Sequence, residues 1–167
     1  MTAVRPARCG GQALVEFALV LPIFVLIVFG IFDLGRGVFA YNTVANAARE
    51  GARVAAVNQI VTSPDCNESK PVEDPANAHW SVKTCAADSA ISLGIRPADV
   101  TVTYSPPPGT TLGCPATPTP TSPIHVGCIA TVSVAYTYTP STPIIGALVG
   151  PIGMSATSAI PVERVFP

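Results

Sequence analysis

Residues 13–32 read ALVEFALVLPIFVLIVFGIF, and this stretch decides the fold. At 1.5 Å per helical residue, twenty residues reach about the 30 Å of a bilayer's hydrocarbon core. Fifteen of the twenty are Leu, Ile, Val or Phe. At roughly −0.3 to −0.6 kcal/mol each, they supply on the order of −5 to −9 kcal/mol for insertion. Against this stand Glu16, near one edge, where a charge costs less than at the centre, and Pro22, which removes one backbone hydrogen bond. A core helix of a small soluble domain would carry a polar stripe, and residues 17–32 have none. A secretory signal has an apolar run of roughly 7 to 15 residues, and this one is longer.

Upstream of the span lie Arg5 and Arg8, while Asp33 and Arg36 cancel just beyond it. The basic flank predicts an N-terminus kept in the cytoplasm and a C-terminal domain on the far side. The rest of the composition agrees with a membrane-linked chain. Only 11% of the 167 residues are charged, and 49% are hydrophobic. Mean hydropathy is +0.46. A net charge of −1 gives no electrostatic footprint for nucleic acid, and the length leaves room for one domain plus one accessory segment.

At the mouth of the span, residues 10–17 read GGQALVEF. A carboxylate there either snorkels to the interface or neutralises a cation that arrives on assembly. Cleavage after Gly11 would make Gln12 the new amino terminus and Glu16 its fifth residue, one turn into the membrane. That spacing suits pairing with the amine of a neighbouring subunit.

Gly11 followed five residues later by Glu16 and then an apolar helix resembles the processing site of type IV prepilins and pseudopilins. The longer pattern, GQALVEFALVLP from Gly11, GIFDLGR from Gly30 and AAREGAR from Ala47, resembles the TadE-like family of small pilin-like proteins in tight-adherence (Tad, Flp-type) pilus systems. The resemblance covers about residues 10 to 55. It implies removal of the leader by a membrane-embedded prepilin peptidase. It also implies partnership with other pilin-like subunits and the assembly machinery, and a role in pilus assembly, adherence or secretion. Gln12 departs from the bulky apolar residue that often starts a mature major pilin.

Beyond the span, Val38, Tyr41, Ala45, Ala48, Ala52 and Ala55 recur at spacings of three and four, so the helix is predicted to continue to Val57. The small residues of this stripe would let another helix or a sheet approach closely, either the chain's own sheet, the reading preferred for this half of the helix, or a neighbouring subunit in a filament. Asn42, Asn46, Arg49 and Arg53 form the opposing polar row, with Glu50 placed to pair with Arg53. Residues 57–75 read as an irregular polar loop. A short helix is expected over 85–94, ending at Gly94, and strands over 100–104, 128–139 and 154–162. Val100, Val102 and Tyr104 share one face, as do Val132, Val134, Tyr136 and Tyr138. Residues 105–123 hold seven prolines in nineteen positions and cannot form a central strand. Residues 143–153 are apolar but too short to span a bilayer, and read as a loop or helical turn on the core or the membrane surface.

Cys9 precedes the span and would leave with the leader. Cys66, Cys85, Cys114 and Cys128 remain as an even set, which suggests disulfides in an oxidising compartment. Three connectivities are possible. Pairing Cys66 with Cys85 and Cys114 with Cys128 closes the segments most in need of restraint, at about 3 kcal/mol each. The spacing lacks the paired C-x-x-C of structural zinc sites. His79 and His125 stand in no nucleophile or metal motif, His79 being expected on a loop beside Trp80, and no phosphate loop or Ser elbow is present.

The expected protein is α+β. It has a cytoplasmic leader over 1–11, a long helix over 12–57 with its transmembrane part at 13–32, and an extracytoplasmic disulfide-stapled β-rich domain over 58–167. About three antiparallel strands pack on the helix. No catalytic site, cofactor, metal or small-molecule substrate is expected. The leading functional reading is a pseudopilin or minor pilin, and the alternative is an uncleaved, single-pass, membrane-anchored binding module.

Overall fold

The computed structural model describes residues 10–57, 78–115 and 124–163. Helix α1 runs over Gly10–Val57 as 48 unbroken residues, with Pro22 inside it. At 1.5 Å per residue it is about 70 Å long, more than twice a bilayer's hydrocarbon thickness. Helix α2 (Ala78–Asp88) follows, then strands β1 (Val100–Ser105) and β2 (Ile129–Tyr138), a short helix α3 (Pro143–Val149) and strand β3 (Ile152–Pro161). The strands form one antiparallel sheet in the order β1-β2-β3, with Val100 opposite Val134 and Tyr138 opposite Ile152. The predicted arrangement of a long helix on three antiparallel strands is the one observed.

Alternation along the strands explains which face is buried. In β1, Val100, Val102 and Tyr104 point inward while Thr101, Thr103 and Ser105 face out. In β2, Val132 and Val134 are fully buried, and Tyr138 is buried at the strand's end. Against this face lies the second half of α1, through Val44, Ala47, Ala48, Ala52 and Ala55. The small-residue stripe therefore covers the chain's own sheet, as expected, but its course differs from the one read in the sequence. Val38 and Tyr41, placed on the stripe by spacing, are exposed, and the buried row passes through Asp33, Ala40 and Val44 instead. A run of three-and-four spacings fits two neighbouring helix faces, and the sheet selects the one whose side chains are small enough for close approach.

Gly51 marks the tightest point. A Cβ there would lie 2.9 Å from both the Ala86 Cβ and Val132 Cγ1, so α1, α2 and β2 converge on a position that only glycine fits. On the outer row, Arg53 donates to both Glu50 carboxylate oxygens at 2.6 and 3.0 Å, and Arg49 donates to the Asn46 side chain. That pairing follows the predicted polar face.

Helix α2 begins seven residues before the predicted helix and stops earlier. Val82, Cys85 and Ala86 form its buried row, continued past its end by Ala90, a signal diluted in the sequence by the polar residues between them. His79 thus lies in a helix rather than on a loop. Gly94 does terminate the segment, in the left-handed conformation at φ 68°, where it closes a single 3₁₀ turn over Ile91–Leu93. β3 starts two residues earlier than expected.

Cys114 and Cys128 form a disulfide with a Cα–Cα distance of 5.9 Å. It ties the proline-rich connection to the start of β2, and closing a loop of this size contributes about 3 kcal/mol by chain entropy. Cys85 is also in a disulfide. Its expected partner, Cys66, lies outside the described residues, as do Cys9 and the 58–75 loop. The end of β3 is held to α1, because the Glu163 N–H donates to the Ala56 carbonyl at 2.8 Å.

Candidate membrane anchor and processing junction

From Gly11 to Ile27, α1 buries nothing. Every Leu, Ile, Val and Phe from Leu14 to Ile27 is exposed. Leu19 is 68% exposed and Phe24 60%. A helix apolar on all sides and uncovered by protein needs an apolar medium, because exposing such surface to water costs about 25 cal/mol per Å². It is long and apolar enough to cross a membrane.

At the start of the helix, Gly11 has open space around the position of a Cβ. Gln12 donates from Nε2 to Glu16 Oε1 at 3.1 Å, one turn along the exposed surface. The three residues singled out in the sequence thus share one helical turn and its approach. Among the described residues no cation pairs with Glu16. Arg5 and Arg8 lie outside the described residues.

Asp33 is the residue whose role the sequence did not reveal. In the sequence it looked like half of a neutralised flank with Arg36. In the structure it is buried, and its two carboxylate oxygens accept the backbone N–H groups of Ser141 and Thr142, each at 3.0 Å. Its own carbonyl accepts the Tyr138 hydroxyl at 2.8 Å. Arg36 approaches the same carboxylate at 3.8 Å and donates to the Ser141 hydroxyl. Asp33 therefore latches the exit of the apolar segment to the turn between β2 and α3, over one hundred residues away. The clue available in advance was a carboxylate directly after a membrane span, where an unpaired charge is costly.

Next to the latch is an apolar groove of about 450 Å³ between α1 and the β2–α3–β3 corner, lined by Gly30, Leu34, Val38, Ile145, Val149 and Ile152 among others. A second hollow, of about 520 Å³, lies beside Leu93 and Tyr136 and mixes polar with apolar walls. Among the described residues no three His, Cys, Asp or Glu side chains gather as a metal site.

The family model described as TadE-like protein matches residues 11–53. No curated protein and no solved structure matches the chain. The matched residues are the anchor helix and most of its continuation under the sheet. That family consists of structural components of pili and implies association with a membrane and with pilus assembly machinery. Over residues 11–53 the N-terminal helix is similar to the TadE-like family, and its apolar part, uncovered by protein, fits the membrane-anchored part of a Tad pilus component.

Proposed function

We propose that the chain is a TadE-like pseudopilin or minor pilin. In this reading α1 holds the subunit in the membrane and docks beside other pilin helices, and a prepilin peptidase removes residues 1–11. The observation that carries it is the junction itself: an open Gly11, then Gln12 and an exposed Glu16 without a cationic partner among the described residues, then a helix exposed on every side. A carboxylate one turn inside a membrane is expensive unless a cation meets it. The amine created at Gln12 of a neighbouring subunit is a cation at the right depth.

The folded domain sits outside the cytoplasm in this proposal. The Cys114–Cys128 disulfide supports that side, since such bonds persist in oxidising compartments, and Arg5 and Arg8 before the span favour the same orientation.

N-terminal sequencing of the membrane-fraction protein tests the route. A mature chain starting at Gln12 supports it, whereas a chain starting at Met1 overturns processing and leaves a membrane-anchored binding module. The Glu16→Ala variant should insert as well as the parent or better, and should incorporate poorly into pili. Normal incorporation would show the carboxylate to be incidental to assembly.

A further inference from the structure

The groove and the short helix beside it lie deeper than the sequence boundaries of the span suggest. Counting about 30 Å of hydrocarbon from Ala13 at 1.5 Å per residue puts the far boundary at about Asp33. Yet Ile145 of α3 packs at Gly30, its Cδ1 3.6 Å from where a Cβ would sit, inside that boundary. Starting the span later, beyond Glu16, moves the boundary outward and puts α3 deeper still.

The surface at this corner suits that depth. Leu148 is 86% exposed, Val149 54% and Ile152 39%. From Val100 to Val162 the chain contains no Asp, Glu, Lys or Arg, so the only charges the described residues bring to the β2–α3–β3 corner are Asp33 and Arg36 of α1, paired with each other and bonded to the 141–142 turn. Asp33, the one acid facing the groove, has both oxygens occupied by backbone N–H groups. The apolar surface of the anchor continues without a polar break across Leu34 and Val38 into the groove.

We propose that α3 and the Ile152 corner form a second membrane contact, seated in the leaflet nearest the domain with lipid acyl chains filling the groove beside Leu34 and Val38. The inference rests on the reading that α1 spans a membrane. Gripping the bilayer at two points fixes the tilt of the domain over the membrane, which one helix alone would leave free.

The test uses the full-length chain in phosphatidylcholine vesicles with plain or brominated acyl chains, in a Trp80→Phe background so that each introduced indole is the sole tryptophan. Leu148→Trp should show blue-shifted emission quenched by brominated lipid as strongly as Phe24→Trp in the span. Thr103→Trp, on the outward face of β1, should be unaffected. Leu148 is so exposed that the substitution leaves the packing intact, and Val149→Trp is a second probe of the same surface. Emission from positions 148 and 149 that behaves like that of Thr103→Trp, while Phe24→Trp is quenched, overturns the second contact and leaves the anchor standing. Blue-shifted emission without quenching there means that protein, such as a second copy, covers the corner, and also overturns it. An unquenched Phe24→Trp removes the anchor and this inference together.

Discussion

The two halves of α1 are one continuous helix in two different surroundings. From Leu14 to Ile27 its large side chains all face outward with no protein over them, while from Ala40 to Ala56 one row is buried beneath a sheet. The first half is made of Leu, Ile, Val and Phe, the second of Ala with a Gly at the point of closest approach. The difference shows what each neighbour demands. Lipid asks only for apolar surface on all sides, whereas a sheet asks for a narrow face with little side-chain volume between backbones.

The strongest way to break the first half is charge. Replacing both Ile23 and Ile27 with Arg should cost roughly 5–7 kcal/mol at the helix centre, about the whole insertion drive. The protein should leave the carbonate-resistant membrane fraction. The same pair of changes leaves the sheet contacts untouched, so full retention in that fraction would refute the membrane assignment.

The second half responds to volume rather than charge. Val44→Ala removes two methyl groups from a site with no exposure and should lower unfolding stability by about 2–3 kcal/mol. Leu19→Ala, a larger truncation in the other half, should leave the stability of the domain unchanged. Thermal unfolding of both variants in the same detergent measures the contrast, and equal losses would mean that the halves are not distinct.

Where the halves meet, Asp33→Ala should loosen the junction without unfolding the core. The amides of Ser141 and Thr142 lose their acceptors and should exchange with solvent faster, while those of β1 and the centre of β2 keep their protection. The midpoint of unfolding should move less than for Val44→Ala. Unchanged exchange at 141 and 142 would show that the latch does not hold the turn.

The smallest effect belongs to the inward face of β1. Burial pushes the Tyr104 phenol from 10.0 up to about 12, because the charged form loses its hydration. Its proton is released at lower pH in the unfolded chain than in the folded one. Stability from this group is therefore full below about pH 10 and declines as pH rises toward 12. Absorbance titration at alkaline pH should show a phenol ionising near the upper value, and Tyr104→Phe should remove it.

Local pattern alone determined the long helix, its apolar half, the antiparallel strands and the inward faces of β1 and β2. Each of these depends on residues at most a few positions apart, so periodicity and composition carry them. The grouping of Gly11, Gln12 and Glu16 at the start of the helix follows for the same reason, since they fall within six consecutive residues. Only the tertiary structure decided which of two small-residue faces α1 turns to the sheet, why position 51 is glycine, and what Asp33 binds. It also decided that α3 packs against the apolar half of the helix. These depend on contacts between segments far apart in the chain, such as Asp33 with Thr142 and Gly51 with Val132. The free energy of such contacts comes from distance and fit between distant residues, which no neighbouring residue encodes.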